Sequence, residues 1–87
     1  MERYFLICTD STDGLRFVEQ HTTKESAVET LKEYYRNALK DKEGDGRPGV
    51  EYEITYWEED GDYLHITIDT GWGDIHNTWY NIIKQTI

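Results

Sequence analysis

Residues 50–69 read VEYEITYWEEDGDYLHITID, two alternating runs on either side of an acidic loop. Apolar side chains occupy every second position of both runs: Val50, Tyr52, Ile54 and Tyr56, then Leu64, Ile66 and Ile68. Successive side chains of a strand point to opposite faces, so each run predicts a strand with one buried face. The stretch therefore predicts an antiparallel β-hairpin.

The length of the loop decides the register of this hairpin. A two-residue loop at positions 60–61 would pair Trp57 with Leu64 and would divide the two apolar sets between opposite faces. A three-residue loop at positions 59–61, with its glycine in the left-handed bulge conformation, would pair Tyr56 with Leu64 instead. Since only the second register keeps both apolar sets on one face, it is the one we predict.

That register gives the hairpin an outer face on which acidic and aromatic side chains are mixed. The residues predicted there are Glu51, Glu53, Thr55, Trp57, Tyr63, His65, Thr67 and Asp69. The candidate partner-binding residues, taken from this face and the loop, are Glu51, Glu53, Trp57, Glu58, Glu59, Asp60, Asp62, Tyr63, His65 and Asp69. Aromatic side chains anchor protein interfaces, and carboxylates steer basic partners. The alternative is an ordinary solvated sheet face.

Upstream of this hairpin, the sequence predicts another hairpin and a helix. Apolar runs at 4–9 and 15–21 flank the turn-forming residues 10–14. The first run is apolar on both faces, which is typical of a central strand or of one buried between chains. Thr23 and Glu25 are a helix-start signal, and apolar residues then recur at helical spacing up to Leu39. The glycine-rich residues 44–49 end this helix as a connector.

Residues 70–73, Thr-Gly-Trp-Gly, end the second strand of the 50–69 hairpin. Asp74 then predicts the cap of a second helix, in which one side is shared by Ile75, Trp79, Ile82 and Ile83. The β-branched residues of this segment leave a strand as the alternative. The expected fold is a single acidic α+β domain over residues 1–87: an antiparallel sheet of two hairpins with two helices, in the order ββαββα.

The net charge of −9 restricts the classes of partner. Residues 51–87 hold eight acidic residues against Lys84 alone. Such a chain repels nucleic acid and anionic membranes, so we expect neither as a direct partner. It attracts basic protein surfaces and cations.

The single cysteine, Cys8, allows no intramolecular disulfide, and a reducing cytoplasm is the expected compartment. The residues after Met1 do not resemble a signal peptide, and no apolar run approaches the length of a membrane span.

The sequence contains no catalytic motif, so we expect no enzymatic activity. Cys8 lies inside an apolar strand, where a buried and unreactive thiol is expected. Glu53 with His65 or Asp69 would serve in acid–base chemistry only inside a pocket, which so small a domain has little room to form.

The sequence also contains no complete metal-binding or cofactor-binding motif, and we expect neither a metal nor a cofactor. Asp41, Glu43 and Asp45 resemble the start of a calcium loop, but Tyr52 stands where the bidentate glutamate belongs. The histidines are not at zinc-binding spacing. The glycines at 44, 46 and 49 follow a helix and precede a strand, the reverse of the order in dinucleotide-binding loops.

In general character the chain resembles the small acidic proteins of bacteriophages and mobile elements that block restriction or CRISPR nucleases. The likeness covers its size, its charge and the acid-rich residues 51–69, without a shared motif, so it assigns no site residues. It implies a protein-binding inhibitor that blocks a basic, nucleic-acid-handling partner by charge mimicry. The alternative is a homodimer that sequesters a small ligand or nucleotide signal, motivated by the two-faced first strand and the abundant Trp and Tyr.

Overall fold

A computed structural model describes residues 1–57 and 63–86 of the chain. Its elements, in chain order, are β1 (Glu2–Asp10), β2 (Gly14–His21), α1 (Lys24–Gly44), β3 (Glu51–Trp57), β4 (Tyr63–Asp69) and β5 (Ile75–Thr86). The strands form one antiparallel sheet in the order β2-β1-β5-β4-β3. Helix α1 packs on one face of this sheet.

The predicted second helix is wrong, because residues 75–86 form strand β5. Its β-branched and aromatic residues favour extended backbone. Tyr80 and Ile82 point toward α1, whereas Trp79 and Ile83 point away from it. The strand lies between β1 and β4 and pairs with both, so the order is ββαβββ rather than ββαββα.

Both predicted hairpins are confirmed, and so is the register of the second. Tyr56 pairs with Leu64 and Ile54 pairs with Ile66. The loop from which this register was argued lies outside the described residues. Strand β1 lies between β2 and β5, as its two apolar faces predicted.

Helix α1 begins where the sequence indicates. The hydroxyl of Thr23 accepts a hydrogen bond from the backbone N–H of Ser26 at 3.1 Å and so caps the first turn. Ala27, Leu31 and Ala38 form its buried side, but Leu39, predicted on the same side, is 41% exposed.

The core lies between α1 and the sheet. Its fully or almost fully buried residues are Leu6, Cys8, Leu31, Leu64 and Tyr80. Two tyrosines of the helix stack on tyrosines of the sheet: Tyr34 on Tyr80 with ring centroids 4.7 Å apart, and Tyr35 on Tyr56 at 4.5 Å. These contacts fix α1 against β5 near the middle of the sheet and against β3 at its edge.

The end of α1 is tied to β3 through Asp45. Its carboxylate accepts hydrogen bonds from the guanidinium of Arg47 at 2.7 Å and from the hydroxyl of Tyr52 at 2.8 Å. Hydrogen bonding to Arg47 holds the pKa of Asp45 well below its usual range.

The turn between β4 and β5 packs against the start of β3. Gly71 has a φ of +80°, and a Cβ atom there would lie 2.7 Å from the carbonyl oxygen of Gly49. Only glycine fits both the backbone conformation and the close approach.

Candidate functional site: the open face of the sheet

Helix α1 covers one face of the sheet and leaves the opposite one, here called the open face, without a covering element among the described residues. Side chains from all five strands lie on the open face, and three groups of them matter below. The acidic corner consists of Glu51, Glu53 and Asp69. The aromatic cluster consists of Trp57, Tyr63, His65 and Trp79. The apolar end consists of Phe5, Ile7, Leu15, Val18 and Ile83.

Strands β3 and β4 build the acidic corner at one end of the open face. Glu51 lies opposite Asp69 in the ladder, and Glu53 lies opposite Thr67. A groove of about 460 Å³ runs through this corner, lined by the three carboxylate residues together with Tyr52, Thr67 and Ile75. A positively charged group placed in this groove would be within reach of several carboxylates.

The aromatic cluster adjoins the acidic corner along β4. The rings of His65 and Trp79, which are partners across β4 and β5, stack with centroids 5.1 Å apart and planes 10° from parallel. Tyr63 lies next to His65, with ring centroids 6.3 Å apart. Trp57 is opposite Tyr63 and is 62% exposed. The cluster therefore presents both a packed ring pair and a freely accessible indole.

Two polar side chains fix the orientation of the His65 ring. The hydroxyl of Thr67 donates to Asn77 Oδ1 at 2.8 Å, and His65 Nε2 lies 2.9 Å from the same oxygen and 3.2 Å from the hydroxyl. The imidazole is thus held before any partner arrives by Thr67 and Asn77, which are ladder partners of each other.

The apolar end continues the open face across β1, β2 and β5. Leu15 is 61% exposed, Val18 is 51% exposed and Ile83 is 45% exposed. Single exposed apolar residues are ordinary, but a contiguous set on a sheet face is typical of a surface that another molecule covers.

The structure brings most of the predicted site residues together. Six of the ten lie in the acidic corner or the aromatic cluster: Glu51, Glu53, Trp57, Tyr63, His65 and Asp69. Four were predicted in the loop and lie outside the described residues: Glu58, Glu59, Asp60 and Asp62.

Sequence reasoning missed the contribution of β5 to this site. Trp79, Asn77 and Ile75 were assigned to a helix, yet they lie on the open face between the two hairpins. The sequence signal that pointed to them is the β-branched residues of the segment, which left a strand as the alternative.

A second polar cluster joins the end of β2 to the start of α1. His21 is buried, with Nδ1 2.8 Å from the hydroxyl of Ser26 and Nε2 2.9 Å from a carboxylate oxygen of Glu19. The three residue types are those of a serine hydrolase. However, the carboxylate lies off the N–H direction, so Nε2 forms no well-directed hydrogen bond. The acid therefore does not orient the imidazole as a catalytic triad requires.

Other chemistry considered from the sequence finds no support in the described residues. Cys8 is fully buried, and burial raises the pKa of its thiol, which makes the thiolate scarce. Across residues 1–57 and 63–86, His, Cys, Asp and Glu side chains nowhere gather in a group of three that would hold a metal ion. Within the same ranges, no helix combines the length and the apolar character needed to cross a membrane.

No protein-family model, curated protein or solved structure matches this chain. Function is therefore inferred from the open face.

Proposed function

We propose that this protein is a protein-binding module that uses its open face to engage a basic partner. The observation that supports this most directly is the position of the aromatic cluster beside the acidic corner on an uncovered sheet face. Aromatic side chains supply apolar contact area at the centre of an interface, and charged groups at its edge set the orientation and the association rate.

The negative net charge of the chain favours a basic partner. The net charge of −9 gives a field that attracts basic surfaces over distances of about a Debye length, roughly 10 Å at moderate salt. Proteins that handle nucleic acids carry such basic surfaces, because they must contact phosphates. The proposed function is therefore to occupy the nucleic-acid-binding surface of such a protein and so to inhibit it.

Carboxylates on one strand suit this competition. Glu51 and Glu53 are on alternate residues of β3, so they lie on the same face about 7 Å apart. This separation is comparable to that of neighbouring phosphates along one nucleic-acid strand. The two side chains would occupy positions on the partner that phosphates otherwise fill.

The apolar end supports a second candidate function, a dimer in which two open faces pack together and enclose a small ligand. Leu15, Val18 and Ile83 would be buried in such a dimer. Light scattering and native mass spectrometry distinguish the two functions: a stable dimer with a bound small molecule supports the second, and a monomer supports the first.

The test of the first function is a pull-down from bacterial lysate at low and at high salt, with the tagged protein as bait. The variant carries Glu51→Lys and Glu53→Lys. The matched control carries Glu29→Lys and Glu33→Lys, which change the net charge equally on the exposed side of α1. A captured protein is then identified, purified and assayed for nucleic-acid binding with and without the acidic protein.

We expect the β3 variant to bind the purified partner at least about 100-fold more weakly, since it replaces attraction by repulsion at two contacts. The α1 variant should retain most of the affinity, and high salt should weaken the wild-type complex. A complex that survives high salt, or that both variants weaken equally, contradicts the proposal.

A further inference from the structure

The aromatic cluster and the acidic corner are close enough to contact a single long side chain. His65 lies two residues before Thr67 on the same face of β4, a distance of about 7 Å. Thr67 is the ladder partner of Glu53, and directly opposed residues lie about 5 Å apart. A lysine or arginine side chain whose charged group reaches Glu53 therefore also lies close to the ring of His65.

Lysine and arginine differ in how they use such a surface. The guanidinium of arginine is planar, stacks on aromatic rings and donates two parallel hydrogen bonds to one carboxylate. The ammonium of lysine is a strongly hydrated point charge, which gains from the carboxylates but less from the rings. A surface of carboxylates alone would distinguish the two weakly.

Three features of the open face suit the planar guanidinium group of arginine. The indole of Trp57 is 62% exposed and lies four residues from Glu53 along β3, about 13 Å away, so it offers a ring surface to a second arginine of the same extended segment. The His65 ring is held by Asn77 and Thr67 and is stacked on Trp79, so it loses little freedom when a partner binds. The groove of the acidic corner adds carboxylates within reach of a guanidinium fork.

We infer that the partner segment that occupies the open face presents arginine side chains, and that the face binds arginine in preference to lysine because the aromatic cluster adjoins the acidic corner. This inference rests on the proposed function and specifies its partner.

A second copy of this chain fits the open face less well. Each copy carries a net charge of −9, and the acidic corner would lie in the interface of both. Of the described residues on the open face, Arg3 is the one arginine or lysine, and it lies on β1 at the other end of the face from the acidic corner. Like charges brought together on two faces oppose association.

The experiment compares two peptides of equal length and equal charge, one of alternating arginine and serine and the other of alternating lysine and serine. Each is titrated into the full chain by isothermal calorimetry at low salt. We expect the arginine peptide to bind about fivefold more tightly, the gain from one solvent-exposed cation–ring contact.

Three variants test whether the preference for arginine over lysine comes from the open face. Trp57→Ala should weaken the arginine peptide more than the lysine peptide and so reduce the ratio of the two affinities toward one. Leu39→Ala, which removes an exposed apolar side chain from α1, should keep the ratio. Glu53→Gln should weaken both peptides together, because it removes charge without removing a ring.

Equal affinities for the two peptides, tighter binding of lysine, or no binding of either would overturn the inference. So would an identified partner whose contact segment lacks arginine, although the salt-sensitive pull-down would then still support the proposed function. An arginine preference abolished by Trp57→Ala supports the inference even if the pull-down finds no inhibited protein, a result that would count against the proposed function alone.

Discussion

The two faces of the sheet are built by the same strands and differ in what covers them. On the side of α1, Leu6, Cys8 and Leu64 are completely buried. On the open face, Leu15, Val18 and Trp57 of the edge strands are large and apolar, yet each is more than half exposed. One helix is enough to bury one face, so these three side chains contribute little to the core. Their exposure is the physical reason to propose a binding role for them.

The largest effect expected from this comparison is on stability. Leu64→Ala should lower the free energy of unfolding by about 2–5 kcal/mol, because it opens a cavity under α1. Val18→Ala should cost at most about 1 kcal/mol, since its side chain is half exposed. Urea unfolding followed by circular dichroism measures both. Equal losses of stability in the two variants would mean that Val18 is packed as tightly as Leu64. This result would contradict the proposed difference between the two faces.

A smaller effect is expected from the polar network on the open face. Thr67→Val removes the hydroxyl that donates to Asn77 and should lower the free energy of unfolding by about 1 kcal/mol. Thr67→Ser keeps the hydroxyl and serves as the control in the same urea titration. If the valine variant is as stable as the wild type, the network orients His65 without contributing to stability.

The smallest effect concerns the covered side, where Asp45 joins α1 to β3 and titrates in acid. Its pKa is lower in the folded chain than in the unfolded chain, so its contribution is complete above about pH 4 and is lost as the pH falls below that value. Melting temperatures recorded from neutral pH to about pH 2 should therefore fall less steeply for Asp45→Asn than for the wild type. Asp41→Asn, an equal charge change on α1, is the control. Parallel curves for all three proteins would show that the Arg47 and Tyr52 contacts do not stabilise the fold.

The hairpin of β3 and β4 was predictable because its signals are local. A shift of one residue would turn one apolar set to the wrong face, so the alternation of Tyr56 and Leu64 leaves one register. The start of α1 was predictable for a similar reason, since the capping residue Thr23 acts on the turn that follows it.

Strand β5 was not predictable from local signals. Ile75, Trp79 and Ile82 recur at helical spacing, while the β-branched and aromatic residues of the same segment favour a strand. Pairing with β1 and β4 decides between these structures, and that pairing depends on residues far away in the sequence. The error removed Trp79 from the candidate site, although the acidic corner and the rest of the aromatic cluster were found.

The central pair of strands joins distant parts of the chain, with Glu2 opposite Thr86 and Asp10 opposite Thr78. The two hairpins close over a few residues, but β1 and β5 meet only after a long loop has been ordered, which costs more chain entropy and slows folding. During synthesis on a ribosome, β1 emerges well before β5 and remains without this partner until β5 has been made. Its apolar residues thus depend on β2 and α1 for shelter throughout that interval, which makes the early half of the chain the part most exposed to aggregation and to chaperones.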